Sequence, residues 1–111
     1  MSSKFTHFQN LVYEAVKKIP EGKVVSYTQV AEHIGKKKAE RAVGRALANN
    51  PFIGQIPCHR VVKKDASLGG FVLGENKKME MLKKEGVRIR DGKIFNFKEK
   101  VYYFNNFDKE K

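Results

Sequence analysis

The apolar positions near the start of the chain, Phe5, Phe8, Leu11, Val12, Ala15, Val16 and Ile19, recur at intervals of three and four. That period predicts an amphipathic first helix over about 4–18, ended by Pro20-Glu21-Gly22. Lys23-Val24-Val25 predicts a short strand or an extended entry to the next helix. Ser26-Tyr27-Thr28-Gln29 then has the form of a capping box, with Ser26 as N-cap of a helix running to Ile34 and stopping at Gly35. A basic turn, Lys36 to Lys38, leads into a second short helix over about 39–48, and the pair has the spacing of a helix-turn-helix. Beyond an irregular loop, Val61-Val62 predicts a second short strand and 63–70 a polar loop. A helix follows over about 75–85, with Met79 and Leu82 on its apolar face and Gly86 as its stop. Val87-Arg88-Ile89, Asp91-Gly92 and the run Ile94 to Phe97 predict a hairpin with an Asp-Gly turn. Some of the aromatic tail from Tyr102 to Phe107 is expected to pack on the domain, with a frayed charged end. The fold class is therefore mostly α with a small β hairpin, a winged-helix-like domain containing a helix-turn-helix.

Length changes this picture little. With 111 residues and no repeat, linker or composition break, residues 1–111 read as one domain. No apolar run is long enough to span a membrane, and Met-Ser-Ser-Lys opens no secretory signal, so an intracellular protein without a membrane partner is expected. Charge changes it more. The formal net charge is +11, and residues 36–84 carry twelve Lys or Arg against four acidic residues. Such clustering would attract a phosphate backbone in a salt-dependent way, although a lysine-rich surface also serves solubility. The second helix combines small residues (Ala39, Ala42, Gly44, Ala46, Ala48) with Arg41 and Arg45. Small residues of this kind permit close packing in a core, or close approach to DNA.

The chain has a single cysteine, Cys58, inside Ile56-Pro57-Cys58-His59-Arg60-Val61. It can form no internal disulfide and, with three scattered histidines, no zinc cage is expected. Free cysteines are often inert buried hydrophobes. This one has His59 and Arg60 directly after it, and nearby bases and cations favour the thiolate.

The cysteine run resembles the active-site motif of the O6-alkylguanine-DNA alkyltransferases. Val25-Ser26-Tyr27, Arg41-Ala42-Val43-Gly44, Asn49-Asn50-Pro51, Gly70-Phe71 with Gly74, and Glu85-Gly86 stand in that family's order at close to its spacing, covering Phe5 to about Val87. The chain is identified on these motifs as the catalytic C-terminal domain alone, without the family's N-terminal domain. The resemblance implies a DNA repair protein that flips O6-alkylguanine out of the duplex and transfers the alkyl group irreversibly to Cys58. That makes it a stoichiometric methyltransferase with no cofactor or metal, acting as a monomer from the minor groove of double-stranded DNA.

The reaction is a substitution at carbon, and it needs a soft nucleophile that ionises near neutral pH. The resemblance gives His59 the thiol proton through a water and makes Glu85 the group that orients the imidazole. It assigns Tyr27 as donor toward the base at N3 and Asn50 as organiser of the tyrosine–cysteine region. The carbonyls of Cys58 and Val61 would accept from the exocyclic amine and the Val72 amide would face O6, with Phe71 and Arg60 completing the substrate site. Arg41 would fill the vacated base stack, with Ala42, Gly44, Arg45, Ser26 and Thr28 at the DNA. His7 and His33 read as surface or packing residues. One departure is Phe71, where the family usually has tyrosine; it keeps an aromatic wall and loses a hydroxyl.

Two other functions compete. A lesion-binding sensor like the alkyltransferase-like proteins would share the compact build, but those proteins lack the cysteine. A winged-helix transcriptional regulator would explain the charge and the helical pair, but not the Pro-Cys-His-Arg run with Glu85.

Overall fold

The computed structural model describes residues 5–104. Its elements are α1 (His7–Val16), β1 (Val25–Ser26), α2 (Tyr27–His33), α3 (Glu40–Ala48), a 3-10 turn (Cys58–Arg60), β2 (Val61–Val62), α4 (Glu75–Lys84), β3 (Ile89–Arg90), β4 (Lys93–Ile94) and α5 (Phe97–Lys100). The chain is mostly helical with small sheets, as the hydrophobic pattern requires.

The helix boundaries follow local hydrogen bonding. α1 starts later than its apolar period implies because Thr6 caps it: Thr6 Oγ1 accepts from the Gln9 amide at 3.0 Å and Gln9 Oε1 accepts from the Thr6 amide at 2.8 Å. It also ends earlier, at Val16, so Pro20-Glu21-Gly22 lies in a separate turn and does not terminate it. Ile19 stays almost fully buried outside the helix. The capping box at Ser26 is present as expected, with Gln29 N–H donating to Ser26 Oγ at 3.0 Å. Gly35 follows α2 at φ +76°, a conformation that costs glycine nothing.

The two short strands join the halves of the molecule. β1 and β2 pair in parallel, Val25 opposite Val61 and Ser26 opposite Val62, with α2 and α3 in the crossover. Because successive strand residues face opposite ways, this ribbon is a shared wall between two cores. Val25 and Val61 face the cluster of α1, α2 and α3, which includes Val12, Val16, Val30, Val43 and Cys58. Val24 and Val62 face a second cluster with Leu68, Leu82, Val87 and Ile94, beneath α4 and the hairpin.

The hairpin is shorter than its sequence pattern. Asp91 and Gly92 form its turn at φ +53° and +77°, as a two-residue Asp-Gly turn demands. The strand ends at Ile94, with one further bond from the Phe95 amide to the Arg88 carbonyl: Asn96 adopts a left-handed conformation at φ +57° and Phe97 opens α5, so Phe97 is helical and not a strand residue. Of the aromatic tail, Tyr102 and Phe104 pack against the first cluster and Val24 bonds both to Lys100 O and to Tyr102 N. Phe107 and the charged end lie outside the described residues.

Candidate active site

Cys58 belongs to the first core, at the start of the 3-10 turn that feeds β2. It lines a cleft of about 350 Å³ with Tyr27, Gly44, Leu47, Ala48, Gly70, Phe71 and Val72. α2 therefore contributes Tyr27 from its first residue, α3 contributes a low wall, and the loop before α4 contributes Phe71 and Val72. Gly44 is part of that low wall: a Cβ there would come within 3.8 Å of the Tyr27 ring. The thiol itself is nearly buried, at 4% exposure.

The thiol's side-chain partner is Asn50, not His59. Asn50 Nδ2 stands 3.4 Å from Cys58 Sγ and donates to the Ile56 carbonyl at 3.1 Å, while Asn50 Oδ1 accepts from the Phe52 amide at 2.8 Å. Burial pushes the Cys58 thiol up, against the Asn50 hydrogen bond, the Lys78 charge and the residue's own backbone, which all favour the thiolate. Sequence adjacency to His59 and Arg60 thus does not make Cys58 a resting thiolate. Desolvation outweighs the nearby donors, and the proton must be removed as part of the reaction.

Behind the cysteine, His59 Nε2 meets Glu85 Oε2 at 2.9 Å. Glu85 is also gripped by Arg60, whose Nε and Nη2 donate at 2.9 and 2.6 Å, while Arg60 Nη1 donates to the Ile19 carbonyl at 2.7 Å. Burial alone would raise the Glu85 pKa, but the hydrogen bonds from Arg60 and His59 prevail and hold it below the usual carboxylate range. For His59 burial dominates and lowers the pKa, with Glu85 opposing and Arg60 adding to the fall. A neutral His59 facing an ionised carboxylate carries its proton on Nε2, so Nδ1 is the ring's basic atom. Arg60 does not line the cleft as a substrate contact; its Nε, Nη1 and Nη2 each donate to Glu85 or to the Ile19 carbonyl.

Tyr27 Oη donates to the Gly70 carbonyl at 3.4 Å. Its pKa is raised, first by burial and then by Cys58, so the hydroxyl remains a donor. Gly69, at φ +73°, allows the ring to sit where it does: a Cβ there would be 3.0 Å from Tyr27 Cε2 and Oη.

The residue that the hydrophobic pattern missed is Lys78. It is fully buried on α4, and its ammonium donates to the carbonyls of Val61 at 2.7 Å, Leu68 at 2.5 Å and Gly70 at 3.0 Å. It also lies 5.9 Å from the Tyr27 ring centroid. Burial pushes its pKa down to about 8, against the opposing pull of Cys58 and Glu75. A signal existed: Lys78 stands one before Met79 and four before Leu82, on the stripe that faces the core. The Val61 carbonyl, expected at the substrate, is thus engaged by Lys78, and Val61 itself is fully buried.

Of the residues expected at DNA, Arg41 and Arg45 are exposed on α3, and Ala42, Gly44 and Thr28 are half-buried. Ser26 is buried, and its hydroxyl oxygen accepts the Gln29 amide in the α2 cap. His7 is exposed at the start of α1, and His33 stacks on Phe104 with ring centroids 4.2 Å apart. Among the described residues no cluster of three or more His, Cys, Asp or Glu could hold a metal ion, and no helix is long and apolar enough to cross a membrane.

Comparison with known proteins places this arrangement. A family model described as "6-O-methylguanine DNA methyltransferase, DNA binding domain" matches residues 7–87. The chain is 43% identical over 81 residues to the methylated-DNA–protein-cysteine methyltransferase of Methanosarcina acetivorans, covering 73% of this chain and 52% of that protein. It spans between 23% and 52% of the length of the curated relatives it matches. The crystal structure of Mycobacterium tuberculosis OGT in complex with DNA superposes with a TM-score of 0.73 at 40% identity, over 75% of this chain and 51% of that one. S. pombe Atl1, in complex with damaged DNA containing O6-carboxymethylguanine, superposes with a TM-score of 0.78 at 30% identity, over 90% of this chain and 98% of that one.

Proposed function

The chain belongs to the 6-O-methylguanine DNA methyltransferase family, as its match over residues 7–87 establishes, and from that premise we propose that it accepts the alkyl group of O6-alkylguanine in DNA onto Cys58. The single observation that carries this reading is the placement of the only cysteine in the chain. It lines a cleft shared with Tyr27 and Phe71, beside Asn50 and next in sequence to the His59–Glu85–Arg60 assembly.

The chemistry follows from these positions. His59, neutral and held by Glu85, takes the Cys58 proton through a water onto its free ring nitrogen. The thiolate, stabilised by Asn50 and Lys78, attacks the alkyl carbon in line. The new S–C bond forms as the C–O6 bond breaks, and the electron pair leaves with guanine. Tyr27, kept protonated, supplies the proton-bearing hydroxyl that stabilises the departing base at N3, while the Val72 amide faces O6 and Phe71 stacks along the pocket. The guanine anion takes up one proton, matching the one that His59 removed from Cys58, so the products are unmodified guanine and S-alkyl-Cys58. No step regenerates the thiol, so each molecule acts once, as a methylated-DNA–protein-cysteine methyltransferase.

The same reading makes this chain the cysteine-bearing catalytic and DNA-binding unit of the family, folded as one domain. It works as a monomer on the minor groove of duplex DNA, inside the cell. Arg41 occupies the stack left by the flipped nucleotide, and Ala42, Gly44, Arg45 and Thr28 line the approach.

A second reading, a non-catalytic lesion sensor, is favoured by the match to S. pombe Atl1 over 98% of that chain. The Cys58 cleft argues for transfer. Intact mass after incubation with a duplex carrying O6-methylguanine separates the two. One added methyl mass, absent in Cys58→Ser, establishes transfer; tight lesion-selective binding with no mass gain establishes the sensor.

A further inference from the structure

The β3–β4 hairpin has two unlike faces. Ile89 and Ile94 are opposite one another and turn toward the second core, where Ile94 is buried. Alternation puts Arg88, Arg90, Lys93 and Phe95 on the other face, where all three cations are exposed. Arg88 pairs with Phe95 through the Phe95 amide, which donates to the Arg88 carbonyl at 2.8 Å. Arg90 and Lys93 are register partners. Like charges directly opposite in a ladder destabilise it, so this ribbon is built at a cost.

Lys83, from the last turn of α4, joins Arg88, Ile89, Arg90 and Phe95 around a shallow cleft of about 490 Å³. No carboxylate lines it, and among the described residues Lys83, Arg88 and Arg90 form no ion pair. The acidic groups nearby lie elsewhere: Asp91 is in the turn, and Asp65 faces Lys93 and Lys63. Phe95 is half-buried, with Arg90 Cζ 5.6 Å from its ring centroid, which holds that guanidinium over an aromatic surface. A like-charge pair, two further cations without an ion pair and a guanidinium held over an aromatic ring together call for an extended polyanion.

Taking duplex DNA as the partner, as above, we propose that the outer face of the hairpin, with Lys83, is a second phosphate-backbone contact separate from the helix-turn-helix. Its ligand is a phosphodiester chain, and its cations neutralise backbone phosphates without reading sequence or lesion.

The test is the salt dependence of binding. Fluorescence anisotropy with undamaged and O6-methylguanine duplexes compares the full chain with Arg88→Ser/Arg90→Ser, Arg88→Lys/Arg90→Lys and Arg45→Ser, with inorganic polyphosphate as a second probe. The serine variant is expected to reduce the slope of log K against log salt by about 2, at about 0.9 per phosphate. The loss should be equal on both duplexes, and the lysine variant should retain the wild-type slope. The thermal midpoint of the serine variant should not fall, because the Arg90/Lys93 repulsion is removed. Unchanged slopes for the serine variant with duplex and polyphosphate, while Arg45→Ser weakens duplex binding, overturn the proposal and leave the repair reading intact. Failure of the wild type to bind either duplex, with polyphosphate binding still lost in the serine variant, leaves the phosphate face standing and overturns DNA as the partner.

Discussion

Arg60 and Glu85 meet through two hydrogen bonds of 2.9 and 2.6 Å, and the same carboxylate reaches His59 at 2.9 Å. One ionised group therefore has two masters. Arg60 keeps Glu85 charged, and the charged Glu85 fixes which nitrogen of His59 is free to act as a base. Glu85→Gln should slow alkyl transfer by up to about 10²- to 10⁴-fold, the range of general-base catalysis by the His59 it orients, with duplex affinity almost unchanged. Single-turnover kinetics beside anisotropy checks this; a large loss of binding with normal chemistry would remove Glu85 from the relay.

The Arg60 guanidinium also lowers the His59 pKa through its charge. His59 accepts a proton only when neutral, so activity is lost on the acid side as it protonates. Removing Arg60 raises the His59 pKa, and the acid limb of the transfer rate in Arg60→Met should shift to higher pH. An unshifted profile with a merely lower melting temperature would make Arg60 purely structural.

Asn50 offers the thiolate its side-chain hydrogen bond, at 3.4 Å. Losing a hydrogen bond to a charged group costs about 1.5–3 kcal/mol, which corresponds to roughly 10- to 150-fold in thiolate population. Asn50→Ala should therefore push the Cys58 pKa still higher, seen as a shift to higher pH in the rate of alkylation by iodoacetamide. A wild-type pH profile would show that Asn50 serves only the loop, through Ile56 and Phe52.

Lys78 makes a prediction about stability. Its pKa in the fold is about 8, whereas an unfolded lysine titrates near about 10.4. Between those values the unfolded chain holds the proton and the folded chain does not, so the Lys78 contribution to stability rises with pH across that window, on the order of 3 kcal/mol in all. Lys78→Met removes the titration and leaves the Val61, Leu68 and Gly70 carbonyls without their donor, at about 2–4 kcal/mol at pH 7. Urea melts of both proteins in a Cys58→Ser background should show the gap between them widening from pH 7 to about pH 10. A constant gap would mean that Lys78 does not lose its proton there.

Gly69→Ala would place a Cβ 3.0 Å from Tyr27 at a backbone φ of +73°. The strain is about 1–3 kcal/mol, and Tyr27 must move from beside Gly70. The thermal midpoint and the transfer rate should both fall. Loss of stability with an unchanged rate would show that the Tyr27 position is immaterial to chemistry.

Much of this molecule is set by the amino-acid sequence alone. The α2 cap was readable because Ser26 and Gln29 bond within one turn, and the hairpin turn because Asp91-Gly92 suits two left-handed residues in succession. The cysteine motif was readable for the same reason: its residues are near neighbours or stand at a recognisable spacing. The Thr6–Gln9 capping box was just as local, and the longer apolar period concealed it.

Only the tertiary structure decided what each group faces. Arg60 looked like a substrate contact and instead holds Glu85, because the end of α4 brings the carboxylate to the 3-10 turn. Cys58 looked activated by its neighbours and instead has a raised pKa, because its desolvation is set by packing in the first core. Lys78 became the centre of three carbonyls because β2 and the 68–70 loop close over one face of α4. Burial and long-range partners are properties of the packed chain, and no local pattern in the sequence contains them.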